Sequence, residues 1–345
     1  MASRLLFRLG RTLGAAWLLA TLVFLVSRLG PSRAEQLALD QADTLEQLHT
    51  TANPDARTAA LTQRLGLNLP AFYVTGRPGH WHWHGGHNQY QQWLGGLLHG
   101  QLGQSYRDGQ PVASHLEPAL ACTVPLVGLA LVLSAALALG LALQLAGRPG
   151  LLGLSIRLVL SGLQAIPLFT LALALLLLLA NPDVLNLLPA ADLGGADGPA
   201  EVLGSVGRLA LPLLALVLAA LPELALPLAA TLRHELASPY AVAARAKGLT
   251  SGQVARRHAL PNALLPLLAT LAEQLPALVA GTVVVEVLFA LPGMGRLLAE
   301  AAAAHDYPVL LGGLLLVIGA RLLALLAADL AHYLLDPRLR TALPA

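Results

Sequence analysis

The sequence predicts an all-α integral membrane protein with six transmembrane helices and a small polar subdomain after the first. Three observations predict it. Of 345 residues, 56% are hydrophobic and 12% charged, with a mean hydropathy of +0.66; a soluble domain carries about 25% charged residues. Six runs approach or exceed the roughly 20 apolar residues needed to cross a hydrocarbon core about 30 Å thick. The Lys and Arg residues gather in alternate connecting loops.

The apolar runs fall at residues 9–29, 119–145, 156–180, 209–232, 263–289 and 309–334. Arg4, Arg8 and Arg11 precede the first, and Arg148 lies between the second and third. Arg233, Arg245, Lys247, Arg256 and Arg257 crowd the loop between the fourth and fifth, and Arg338 and Arg340 follow the sixth. With six spans all of these share one side, which the positive-inside rule makes cytoplasmic. The loop at 181–207 holds Asp183, Asp192, Asp197 and Glu201 and belongs opposite. Both termini are therefore expected inside. A cleaved signal peptide would share the basic start and Ser32-Arg33-Ala34, but the apolar run is long for one.

These runs divide the chain into four parts. Residues 1–29 form the start and first helix, and 30–117 an extracytoplasmic subdomain of mixed charge, with helical character at about 34–67. Residues 118–334 form a core of five helices with a cytoplasmic loop at 233–262, and 335–345 a cytoplasmic tail. A net charge of +2 gives no field suited to nucleic acid. The single cysteine, Cys122, lies in an apolar run, so no disulfide forms within the chain. No G-x-x-x-x-G-K-[ST] loop occurs, so the chain does not hydrolyse ATP by that route.

The basic loop has internal punctuation. A short helix runs from Pro239 to Lys247, and Gly248 stops it. Thr250 or Ser251 can cap a second short helix, and Pro261 leads into the fifth span. Small residues on the first helix permit close approach by another protein, which makes a docking knob; the plainer reading is a solvated loop that only fixes topology.

This loop resembles the cytoplasmic "EAA" loop of ABC importer permeases. Ala243, Ala244, Gly248, Leu260 and Pro261 fall in register, with Val242 in place of the Glu and His258 in place of an Ile. The wording Ala244-Arg-Ala-Lys-Gly-Leu249 is similar to the dipeptide/oligopeptide/nickel branch. Leu98-His-Gly-Gln-Leu-Gly103, Ser105 and Pro111-Val112 resemble the signature before the second span of that branch's B-type subunit, and Arg64-Leu-Gly-Leu67 and Pro70 its preceding stretch. Glu286, Phe289, Pro292-Gly-Met-Gly-Arg296 and Asp306-Tyr-Pro308 resemble its segment between the fifth and sixth spans, and Asp336-Pro-Arg-Leu-Arg340 its tail. The usual Pro-Gly-Asp-Pro after the first span is replaced by Gly30-Pro-Ser-Arg33, and residues 74–88 look like an insertion.

The resemblance implies the type I importer permease fold in a bacterial inner membrane. It implies a second related permease subunit, two cytoplasmic ATPase subunits and an extracytoplasmic solute-binding protein as partners, with lipid around the spans. ATP and Mg would bind the ATPase subunits, and no cofactor this chain. The segment from Ala243 to Pro261, with Arg245 and Lys247, would sit in a groove of an ATPase subunit. Solutes among relatives include dipeptides, longer peptides, glutathione, peptide-like antibiotics and nickel.

Two further features are candidates. Glu223, Glu273 and Glu286 lie in or near apolar helices, where an ionisable group is costly and commonly faces a cavity or a partner. Glu223 and Glu273 are candidates for the translocation path, or for proton carriers in a secondary transporter that needs no ATPase. Glu286, by the resemblance, belongs near the outer gate. Pro222, Pro227, Pro266 and Pro276 can bend the same helices. His80-Trp-His-Trp-His84 with His87 would, as a strand, place His80, His82 and His84 on one face. That face could hold Zn, Ni or Cu, or the segment is a surface loop whose Trp81 and Trp83 rest at the membrane interface or on a partner. No paired carboxylates or Ser/His set suggests an intramembrane enzyme.

Overall fold

The computed structural model describes residues 2–26, 69–77, 80–147, 150–181, 183, 185 and 206–335. The expectations for residues 30–67, Arg148, the acidic residues at 192–201 and the tail at 336–345 lie outside these. Helices dominate: α1 (Ala2–Val26), a hairpin of β1 (Val74–Arg77) and β2 (His80–Trp83), α2 (Gln89–Leu98), α3 (Val112–Gly147), α4 (Leu151–Ala165) and α5 (Leu168–Leu175). There follow α6 (Val206–Ala237), α7 (Pro239–Ala246), α8 (Ser251–Val254), α9 (Leu260–Leu288), α10 (Met294–Ala303) and α11 (Tyr307–Leu335). Single π-helical turns at Leu176–Ala180 and Ala255–Ala259 continue α5 and join α8 to α9.

Among the described residues four helices are long and apolar enough to cross a membrane: Val112–Gly147, Gly207–Ala237, Pro266–Leu288 and Tyr307–Ala327. Helix α1 runs over Ala2–Val26, with most of its apolar residues following Arg11. The third expected run differs from the plain span read from the sequence. The run at 156–180 is not one helix. It breaks at Ile166 and Pro167, and the arms Leu151–Ala165 and Leu168–Ala180 are bent from a common line by 104°. Proline lacks the N–H that would continue α4 and pushes its predecessor out of the helical region; Ile166 sits at φ −87°, ψ 121°.

The chain folds as two compact units, one of Met1–Glu117 with Leu298–Ile318, the other of Pro118–Leu297 with Gly319–Ala345. In the first unit an aromatic cluster joins the end of α1 to α2. Phe24 is buried, with Tyr90 edge-on at 5.3 Å and Trp93 stacked at 5.4 Å between ring centres. Thr21 Oγ1 lies 2.8 Å from the Tyr90 hydroxyl. Asn88 starts α2 by accepting the N–H of Gln91 at 2.7 Å, and its own amide reaches Gly85 O at 2.8 Å. The hairpin is antiparallel, pairing Val74 with Trp83 and Thr75 with His82.

In the second unit α6 is central. It packs against α4, α5 and α9. One core joins Cys122, Leu126 and Ala130 of α3 to Leu216 and Ala220 of α6 and Leu278 and Val285 of α9. Another joins Ala138, Ala142 and Leu145 to Leu224, Leu228 and Leu232 and to Ala259 and Ala263. Alanines at these contacts let helices approach closely, which matters where lipid removes most of the hydrophobic drive.

Candidate functional site

The basic loop folds as a compact helical pair. Ser238 precedes α7, with Pro239 in its first turn, where its missing N–H is not needed. Lys247 is the C-cap, and Gly248 follows at φ +89°, the left-handed conformation that glycine adopts most readily. A Cβ at Gly248 would meet nothing within 4 Å, so the demand is on the backbone rather than on space. Thr250 then starts α8 with a capping box: its hydroxyl accepts the N–H of Gln253, whose side chain accepts the N–H of Thr250. Ala241, Ala244 and Val254 are buried together, with Leu236 and Leu249 against them.

This packing sorts the sequence-predicted residues. Ala243, Arg245, Lys247 and Gly248 are exposed, Ala244 faces inward, Leu260 is half-buried and Pro261 is exposed. Val242 is 53% exposed, so the outward face of α7 is apolar with basic residues beside it. Arg245 Nη1 donates to Leu236 O at 3.1 Å. Three polar residues not singled out from the sequence meet at the feet of the loop. The Tyr240 hydroxyl donates to Glu235, and Asn262 Nδ2 donates to both Glu235 Oε2 and the Tyr240 oxygen at 3.2 Å. Burial, then the hydrogen bond to Glu235, raises the Tyr240 phenol above the ordinary tyrosine range.

The acids of the spans separate. Glu223 on α6 is half-buried and accepts a 3.0 Å hydrogen bond from Gln164 Nε2 on α4. Glu273 on α9 is exposed, and among the described residues no hydrogen bond joins the two. Glu286 is fully buried. It accepts from Thr123 Oγ1 at 2.6 Å, Gly295 N at 2.6 Å and Arg296 N at 3.2 Å, while Met294 N donates to Thr123 Oγ1 at 2.7 Å. The segment Pro292–Arg296 thus wraps a carboxyl. A Cβ at Gly293 would overlap that carboxyl, and one at Gly295 would overlap the backbone of Val283. Thr123 gave no signal in the sequence beyond being a hydroxyl in an apolar run.

The histidine-rich segment begins as strand β2 at His80–Trp83, and His84 and His87 follow it. Trp81 and Trp83 are exposed, and the His82 and His84 rings lie 5.4 Å apart, centre to centre. His87 is exposed on the following turn. Among the described residues no group of three or more His, Cys, Asp or Glu side chains is arranged to hold a metal ion.

Apolar helices of spanning length, interrupted by short exposed loops, define an integral membrane protein of several spans. Residues 134–341 match the family model of the binding-protein-dependent transport system inner membrane component, and the chain belongs to that family. It is 28% identical over 307 residues to the dipeptide transport system permease protein of Escherichia coli (strain K12), a match that covers 82% of this chain and 85% of the relative. It is 30% identical over 312 residues to the dipeptide transport system permease protein of Alkalihalophilus pseudofirmus, covering 84% and 87%. A solved chain of the inward-facing MetNI methionine ABC transporter matches with a TM-score of 0.52 at 18% identity, over 63% of this chain and 94% of that one. The chain therefore has the ABC importer permease fold and is a membrane-spanning transport permease subunit, not an enzyme.

Proposed function

We propose that this permease subunit carries short peptides inward through an ATP-driven importer, with the helical pair α7–α8 as the segment that meets an ATPase subunit. The observation that carries the docking role is the shape of that pair. It is exposed, apolar on its outward face, stopped by Gly248 and continuous at both ends with the spans α6 and α9. The permease relatives of similar length, whose names specify dipeptides, support the peptide class. A second related permease would cover the open side of α9, which is less buried than α6. Two ATPase subunits binding ATP and Mg, and an external solute-binding protein, complete the system. Both termini and α7 are assigned to the cytoplasm. ATP binding would bring the ATPase subunits together and displace α7, and the spans would follow if α7 binds differently in the two states.

Within this reading the site residues take different parts. Ala243, Arg245 and Lys247 face the ATPase, while Ala244, Gly248, Leu260 and Pro261 shape the knob. Glu223, held by Gln164, and Glu273 offer polar groups to the translocation path. Glu286 serves the gate region indirectly, by fixing the segment at 292–296. Cysteine cross-linking from an Ala243→Cys variant to the ATPase subunit, in vesicles importing a labelled dipeptide, tests the assignment. Capture of the ATPase supports it; labelling of the same cysteine from outside the cell would overturn it.

A further inference from the structure

Helix α7 carries no acidic residue of its own. Its grip on the rest of the unit through side-chain packing is slight, because two of the three buried residues in its small core, Ala241 and Ala244, are alanines. A carboxylate from outside the helix makes up the difference. Glu235 stands near the end of α6 and takes the hydroxyl of Tyr240, in the first turn of α7. The same oxygen, Oε2, takes the amide of Asn262 at 3.2 Å, from the first turn of α9 and 27 residues along the chain. Asn262 Nδ2 lies 3.2 Å from the Tyr240 oxygen as well, so side chains from three helices close one ring.

We infer that the Glu235–Tyr240–Asn262 ring is a positioning element that fastens the docking helix to both flanking spans, so that a displacement of α7 reaches α6 and α9 together. This rests on the reading of α7 as the segment that meets the ATPase. The covalent path alone would not suffice. Ser238 at one end and Gly248 at the other are points about which α7 could turn without moving either span. The ring stands at the α6 end of α7 and reaches the start of α9, so it bridges the pivot at Ser238 and bypasses the one at Gly248. Around it, Ser238 Oγ donates to Glu235 O at 2.5 Å and Arg245 Nη1 to Leu236 O at 3.1 Å, holding the last turn of α6 from the same helix. The Tyr240 hydroxyl is the donor to Glu235, and burial with that bond raises its phenol above the ordinary tyrosine range. Because the ring is partly exposed, it contributes little to folding, and its removal acts on geometry.

The test uses the complete transporter in vesicles, with uptake of a labelled dipeptide measured per ATP hydrolysed. Tyr240→Phe and Glu235→Ala are each expected to lower that ratio by about fivefold or more, the lower end of coupling between distant sites. Complex recovery and the thermal midpoint should stay as in the wild type. Glu235→Gln keeps an acceptor for Tyr240 and should restore most of the ratio, which a general loss of packing would not allow. If Glu235→Ala fails to assemble, Tyr240→Phe, which removes one oxygen, decides. An unchanged ratio in Tyr240→Phe while Ala243→Cys still cross-links to the ATPase overturns the ring and leaves the docking assignment standing. No cross-link in the otherwise wild-type protein overturns the docking assignment, and the ring falls with it.

Discussion

The hydroxyl of Ser105 donates a 2.5 Å hydrogen bond to Oδ2 of Asp306, 201 residues further along the chain. Tyr106 N donates to the other carboxylate oxygen at 3.0 Å, and Ser105 Oγ in turn accepts the N–H of Arg107 at 3.1 Å. Both side chains are buried. Two motifs far apart in the sequence are thus halves of one contact, which sets the loop ahead of α3 against the start of α11.

Removing either partner strands the other. Ser105→Ala should cost about 1–3 kcal/mol, the penalty of an unsatisfied buried group, and Asp306→Ala should cost more, since it frees Tyr106 N too. Thermal unfolding of the purified protein, with limited proteolysis between Gly103 and Val112, would register the loss. Equal resistance in all three proteins would show that the contact does not hold the loop.

Asp108 in the same loop should make it sensitive to acid. The N–H of Gln110 holds its carboxyl below the ordinary carboxylate range, against an opposing effect of burial, with Ser105 and His115 adding to the lowering. A carboxyl whose folded pKa is lowered stabilises above its unfolded pKa, and that contribution disappears as the pH falls through the folded value. Hydrogen exchange at Gln110, referenced to unstructured rates at each pH, should lose protection over that acid range. Asp108→Asn should abolish the dependence.

The clasp around Glu286 should tolerate no added atoms. Gly293→Ala places a methyl on the carboxyl, and Gly295→Ala places one on the Val283 backbone. Each is expected to cost about 1–3 kcal/mol through overpacking. Glu286→Ala orphans the Gly295 and Arg296 amides and should cost at least as much. Melting curves of the detergent-purified variants check the order.

Gly248 separates backbone strain from docking. Gly248→Ala meets open space but a left-handed backbone, so it should insert normally and cost about 1 kcal/mol. Gly248→Asp should also insert, yet abolish dipeptide uptake and substrate-stimulated ATP hydrolysis, because a charge then projects from the knob. Normal uptake in reconstituted vesicles would count against the docking role.

What the sequence revealed follows the range of the interactions. Gly248 and Thr250 act on neighbours within a few residues, so the helix stop and the cap were legible. The helices α3, α6, α9 and α11 were legible because lipid demands long apolar runs. The partner of Glu286 was not, since Thr123 lies 163 residues away and no local pattern marks it. The ring at Glu235 was hidden for the same reason: each member looks like an ordinary surface residue until three helices converge. Pro167 was visible, but uniform apolarity on both sides of it concealed the break between α4 and α5. The amphipathic helix α10 was passed over within a segment read only for its motif.

That break at Pro167 has a consequence for the surrounding bilayer. At about 1.5 Å per residue, each arm is only about 20 Å long, and two arms bent by 104° reach less far along any one direction than a straight rod of equal length. Hydrocarbon about 30 Å thick is therefore mismatched beside this corner. The leaflets must thin there by a few ångströms or the arms must tilt, and uptake should respond to the acyl chain length of the lipid in which the protein is reconstituted.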